Sequence, residues 1–312
     1  MTRTEPRRGA VPWPRIGLFA ILALGLAWLV ALPLWLNPSN PVIAQLVVPG
    51  MMFTPAIAVV IVALLTKQKG FWRYVAAWPM APIGRFVGMC VLGLLGPLAL
   101  VIVGVIAVSM LGLVDLDLEH LSGFSAQLEA QLGALGQTAA ELPDPHVIAA
   151  VQLIAIPVAA ILPNGILAFG EELAWRGWLT TALRPAGVWP TLIITGVLWG
   201  VWHAPIILLG HNYGRTDAWG VLLMVGACVA WGMFFGWLRL RSRSLWPAVL
   251  AHGSLNASAG LIMVLMALDS PYRPEIAGPM GMVMWALLAV LVVILVLCGQ
   301  FRPAKLVTES AL

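Results

Sequence analysis

The sequence predicts an all-α fold, a polytopic membrane helix bundle of about eight transmembrane helices with both termini cytoplasmic. Three observations carry that expectation. The 312-residue chain is 61% apolar and only 10% charged, whereas soluble chains run about 25% charged. Its apolar residues fall into stretches near the 20 or so that cross a hydrocarbon core as a helix, whose backbone polar groups are satisfied internally. Its basic residues collect on one side of those stretches, as the positive-inside rule requires. Disorder is excluded by the same composition, since it needs low hydrophobicity and high charge.

The first expected span, 14–36, follows the Arg7-Arg8 pair. Its apolar run exceeds the roughly 7–15 residues of a signal-peptide core and ends in LWLNPSNP without a small-x-small cleavage site, so a retained helix is expected. Spans 43–66 and 83–113 come next. An acidic segment from Asp115 to Pro145 follows, in which Leu118, Leu121, Phe124, Leu128, Leu132 and Leu135 recur at steps of three and four, a helical apolar face. It is expected outside, along the membrane surface or capping the bundle. The remaining spans are 147–170, 188–210, 217–238, 246–268 and 279–300. In this topology 15 of the 17 Lys and Arg residues are cytoplasmic, leaving Arg215 and Arg273 outside.

Three regions result: N-terminal spans with the external segment (1–146), a helical core (147–268), and a last span with its tail (269–312). Cys90, Cys228 and Cys298 sit in apolar runs without CxxC spacing, so neither a disulfide framework nor a thiolate metal site is indicated. The net charge of +4 reflects the positive-inside bias and calls for no nucleic-acid partner. A multi-pass protein of the cell membrane, with the lipid bilayer as its surroundings, is expected.

Ionisable groups in apolar spans cost about 2.5–3.5 kcal/mol each on insertion scales, which makes each a functional candidate. They concentrate in three places: Glu171-Glu172 with Arg176, Trp199-x-x-x-His203, and His252-x-x-x-Asn256. Glu172 and Arg176, four apart, share a helical face and can pair; Glu171 is rotated about 100° away and points elsewhere. Helix-end snorkelling would explain the first cluster alone, and interhelical hydrogen bonding would explain a lone His203. His252 and Asn256 stack on one face, with Gly253 leaving room for a close neighbour. Pro205 weakens the helix near His203 and can leave carbonyls that hold the imidazole.

Convergence of three helices on one cavity is harder to explain as packing. A carboxylate with an imidazole can hold a water and take its proton. An imidazole with a carboxamide can hydrogen-bond a developing oxyanion, at about 2.7–4 kcal/mol per donor. The same side chains also allow a metal, since two His and one Glu form a known catalytic zinc set, although no HExxH helix is present.

In order and spacing, Glu171-Glu172-x-x-x-Arg176, then His203, then His252-x-x-x-Asn256 resemble the CPBP (CAAX protease / bacteriocin-processing, Abi) family of intramembrane proteases, over roughly residues 150–265. The resemblance implies that Glu171 is the water-activating base, helped by His203. It implies that His252 and Asn256 form the oxyanion site and that Glu172 and Arg176 are supporting. One departure stands out: the family's second motif is usually Phe-x-x-x-His, and here Trp199 takes the Phe position. Two chemistries fit the family, direct activation of water by the glutamate, or a zinc ion held by Glu171, His203 and His252. The implied partners are a peptide or membrane-protein substrate, prenylated or leader-bearing. A bacteriocin-immunity or scaffold protein that keeps the fold is the alternative. A transporter is a further one, against which stands the lack of a motif repeat in the first three spans.

The assumed spans strain against one site, because fifteen residues from Val188 to His203 rise about 22 Å. The expectation is that helix four runs on through about Leu183 and lines a water-filled cavity, with Trp175, Trp178 and Leu179 on its lipid side. His120, His146 and His211 are expected in external, solvated segments.

Overall fold

The computed structural model describes residues 10–38, 40–78, 80, 82–134, 143–303 and 305–306. Arg3, Arg7, Arg8 and Leu135 lie outside them. Among the described residues there is no strand beyond one isolated bridge, Leu116 to Met266, and the rest of the regular structure is helical. Seven helical runs among the described residues are long and apolar enough to cross a membrane. This is a multi-pass membrane protein.

The first span is α1 (Trp13–Leu36), a single helix. The second is two helices, α2 (Pro41–Met51) and α3 (Thr54–Leu65). The Asn40 side chain starts α2 by accepting from the backbone N–H groups of Val42 and Ile43, with Pro41 at the first turn, where its missing N–H costs nothing. Then come α4 (Ile83–Met110) and, outside the spans, α5 (Ser122–Ala134). Leu121 and Phe124 are buried with Ala149 while Leu118 stays exposed, so this segment caps the bundle.

The fourth run covers Pro145–Ala186. It comprises α6 (Pro145–Ile161), capped by the Asp144 side chain, then α7 (Asn164–Glu172), a π-helical stretch over Leu173–Leu179, and a last turn over Thr180–Leu183. The expected continuation through Leu183 is therefore present. The lipid-facing role for Trp175, Trp178 and Leu179 is not: all three are at most 1% exposed. Trp175 and Trp178 pack on Phe19 of α1, and the Trp178 indole donates to Gln68. Apolar side chains suit lipid and protein interior equally, so hydrophobicity could not tell the faces apart.

The fifth expected span is shorter than predicted. Helix α8 (Val188–Trp202) has 15 residues and ends where the His203 N–H turns back to the Gly200 carbonyl. Pro205, two positions on, has no N–H to continue the ladder. The expected count of about eight thus becomes seven long runs and this one short apolar helix. The bundle closes with α9 (Ala218–Ser242), α10 (Trp246–Ser258) and α11 (Met282–Leu297).

Close approach by glycine sets the core. A Cβ on Gly196 of α8 would stand 2.7 Å from the Val229 Cα of α9, and one on Gly200 would collide with Val225. Small residues spaced by four let two membrane helices meet backbone to backbone. Helix α10 sits at the centre, with Gly253 against the Ala160 carbonyl of α6 and the Pro247 carbonyl against Gly93 of α4. Its middle turn carries His252 between α7 and α9.

Candidate active site

Glu171 and Glu172 end α7, and the helix widens to π geometry immediately after them. Such bulges recur at functional sites because they re-aim side chains within a continuous helix. Here Glu172 and Arg176 still meet, with Arg176 Nη1 2.7 Å from Glu172 Oε1. His252 Nδ1 lies 2.9 Å from the same oxygen. Glu171, Glu172, Arg176 and His252 are all buried, at 2%, 0%, 1% and 4% exposure. The open, water-filled cavity expected at these groups is therefore replaced by a sealed polar centre.

The pairing has a physical logic. Arg176 is buried to the tip and would be costly unpaired; it bonds Glu172 and lies 4.2 Å over the Trp199 ring and 5.3 Å from that of Phe235. Gly232 of α9 makes room, since a Cβ there would be 3.0 Å from Arg176 Nη2. Arg239, itself buried, donates from Nε to the Arg176 carbonyl at 3.1 Å and from Nη2 to Thr181 Oγ1 at 3.3 Å, which ties the π stretch to α9. An acceptor shared between an arginine and an imidazole makes Glu172 an anchor. With the carboxylate accepting, the hydrogen of His252 sits on Nδ1, and Nε2 points toward Glu171 Oε1 at 4.0 Å, too far for a direct hydrogen bond.

Glu171 has a different partner. Its Oε2 accepts from the Trp199 indole N–H at 2.6 Å. Among the described residues no donor bonds Oε1. Each carboxylate is thus held through one oxygen, but by different partners: Glu172 Oε1 takes Arg176 and His252 while its Oε2 bonds no described group, and Glu171 takes only the Trp199 indole.

His203 caps α8 and is half-buried. Its Nδ1 donates to the Trp199 carbonyl at 2.8 Å, which leaves Nε2 as the acceptor nitrogen. The carbonyl that holds it is not one freed by Pro205 but one released when the His203 backbone N–H moved to Gly200. His203 makes no hydrogen bond to Glu171 or His252; it reaches them through Trp199, whose ring centroid is 5.9 Å from His203 and 5.2 Å from His252. Asn256 lies one turn beyond His252, half-buried, and bonds none of the cluster's members. His120, His146 and His211 are exposed, as expected.

The structure therefore brings Glu171, Glu172, Arg176 and His252 into one cluster and sets His203 and Asn256 at its margins. No group of three or more His, Cys, Asp and Glu among the described residues could hold a metal ion. The set Glu171, His203 and His252, offered by the sequence to zinc, does not fit one as arranged: Glu172 holds His252 Nδ1, and the His203 ring is turned onto its own helix.

Two members escaped sequence reasoning. Arg239 looked like any positive-inside residue at a helix end, and no signal marked its burial. Trp199 did carry a signal, because an indole at a usual phenylalanine position adds an N–H donor inside a membrane span.

The fold and site define a polytopic helical membrane protein with a buried Glu–Arg–His centre built from α7, α8, α9 and α10. Residues 150–258, the stretch that supplies every member of that centre, match the family model of the Rce1-like type II CAAX prenyl endopeptidases. The match over this segment supports membership of the CPBP (CAAX protease / bacteriocin-processing, Abi) family. No curated protein matches the chain.

Proposed function

We propose that the chain is an intramembrane endopeptidase that hydrolyses a peptide bond of a membrane-associated substrate, with residues 147–268 as its catalytic core. The family match supports endopeptidase activity of CAAX type in general. The observation that carries the mechanism is the division of labour between neighbouring carboxylates. Glu172 is paired with Arg176 and His252 through Oε1, whereas Glu171 is bonded only by the Trp199 indole and turns its unbonded Oε1 toward His252 Nε2 at 4.0 Å.

Glu171 Oε1 takes a proton from water as the water oxygen attacks the scissile carbonyl carbon. The carbonyl π electrons move onto oxygen, and the oxyanion is held by His252 Nε2–H and Asn256 Nδ2–H. Collapse of the tetrahedral adduct breaks the C–N bond, and the proton on Glu171 passes to the leaving nitrogen. The products are a carboxyl terminus and an amine. Donation by His252 needs protons on both ring nitrogens; in that state the two carboxylates face two cations and the formal charges cancel. His203 Nε2, free as an acceptor, orients the water.

The burial of Glu171 requires an opening before substrate can enter. A cleft of about 300 Å³ begins at Ala257, the residue after Asn256, and is lined by Gln127, Gln131 and Gln152 among apolar side chains. Its mixed lining suits an extended peptide, apolar in its side chains and polar in its backbone. The substrate classes that fit are a prenylated C-terminus, a small leader-bearing peptide or a membrane-protein tail.

The test is cleavage of membrane-anchored peptides by purified protein in detergent, wild type against Glu171→Ala, with unfolding midpoints measured alongside and a zinc chelator in one arm. Cleavage by wild type alone is expected, insensitive to chelator. Equal cleavage by both removes Glu171 as the base. The sealed site would also suit a non-catalytic immunity or scaffold protein, and under that reading neither protein cuts while the Glu171→Ala variant keeps its biological function.

A further inference from the structure

Trp199 touches four polar members of the centre: Glu171, Arg176, His203 and His252. Its indole N–H bonds Glu171 Oε2 at 2.6 Å, Arg176 lies 4.2 Å over its ring, and its edge meets the His252 ring at 5.2 Å. Its carbonyl receives the His203 Nδ1–H at 2.8 Å. The side chain is 1% exposed. No other described side chain bonds Glu171, so this one donor decides how the carboxylate stands.

We propose that Trp199 is a positioning residue for Glu171: its Nε1–H clamps Oε2 and so presents Oε1 toward His252 Nε2 and the reacting water. A carboxylate at the end of a three-bond side chain, widened from its helix by a π stretch, can rotate about each bond. One hydrogen bond to a ring that cannot itself rotate removes that freedom. The indole is immobile because four neighbours hold it: Arg176 on its face, His252 at its edge, and Phe235 and His203 at 6.1 and 5.9 Å between centroids. A phenylalanine here would fill most of the space but leave Oε2 without a donor, in a site where water cannot replace it. Replacing the family's usual phenylalanine thus adds a contact to the base itself, beyond reshaping the pocket.

This inference rests on Glu171 being the base, and its test separates the two. Wild type, Trp199→Phe, Glu171→Ala and the double variant are compared for unfolding midpoint and for peptide cleavage. A fifth protein carries benzothienylalanine at position 199, which keeps the bicyclic ring and replaces only the N–H by sulfur. Trp199→Phe is expected to lower the midpoint clearly when Glu171 is present and much less in the Glu171→Ala background, because no carboxylate is then stranded. In cleavage it lowers kcat about 10- to 100-fold with KM changed less than about threefold, the range found when an orienting partner is lost. The benzothienyl protein shows the same loss of kcat.

Equal falls in midpoint in the two backgrounds would overturn the proposal, as would full kcat in the benzothienyl protein. A rise in KM with kcat unchanged would also overturn it, since that marks a substrate contact. Failure of wild type to cut any peptide, or equal cutting by Glu171→Ala, defeats the peptidase reading instead, and the midpoint cycle then still decides whether the indole holds Glu171.

Discussion

Helix α9 and the span Pro274–Leu297 that contains α11 have nearly the same length, 25 and 24 residues, and opposite fates by packing. In the most apolar window of α9, mean hydropathy is 2.0 and 61% of residues are buried; in the span that contains α11 the values are 2.9 and 17%. The more hydrophobic helix is the more exposed one. Val290, Val293, Ile294 and Leu297 of α11 face outward, while α9 turns Gly232, Gly236 and Arg239 inward. Lipid is as good a solvent for leucine as a protein core is, so hydrophobicity does not draw α11 inside. Polar groups and small residues are what require or permit a protein neighbour, and they sort α9 to the centre.

That contrast can be broken or sharpened at graded sites. The largest effect is expected at Glu171, where alanine should lower kcat by about 10²–10⁴-fold, the range of a lost general base; single-turnover cleavage checks it, with thermal melts to show that the variant is folded at the assay temperature. Next is Arg176→Met, which strands Glu172 and should cost about 3–5 kcal/mol in denaturant unfolding. Adding Glu172→Gln to it should recover part of that loss. Retention of full stability by Arg176→Met alone would mean that the buried pair is not what fixes α7 against α9.

Asn256→Ala should lower kcat by about 10²–10³-fold with little change in stability, because the half-buried carboxamide bonds none of the cluster's members among the described residues. A loss of stability instead of rate would make it a packing residue. The smallest effects form a matched pair. Gly200→Ala drives a methyl group into Val225 and should cost about 1–3 kcal/mol, whereas Leu297→Ala on the outer face of α11 should stay within about 0.5 kcal/mol. Equal costs for the two would erase the distinction between the helices.

Much of the site was legible because each signal violated the composition of its surroundings. Glu171, Glu172, Arg176 and His252 are ionisable residues in apolar runs, and the structure places all four in one cluster. The Glu172–Arg176 pair followed from helical spacing alone, and it survives the π stretch. His203 was legible as a candidate, but its ring turns onto the Trp199 carbonyl, a choice made by how α8 terminates. The orientation of Trp175 and Trp178 was not legible, since both faces of a membrane helix accept an indole.

By itself the sequence determined the class of fold, the approximate limits of the long helices and the identity of the polar residues the membrane would not tolerate unpaired. Those follow from local quantities, namely length, hydropathy, capping residues such as Asn40 and Asp144, and spacings of four. Tertiary structure decided which carboxylate took the imidazole of His252 and which took only the indole of Trp199. It decided that α8 stops at Trp202, that Arg239 is buried at the carbonyl of Arg176, and that the extra N–H of Trp199 falls on Glu171. The physical reason is that a hydrogen bond needs its partner within about 3 Å in a set direction. Between residues 28 or 80 positions apart, only the packing of whole helices brings that about.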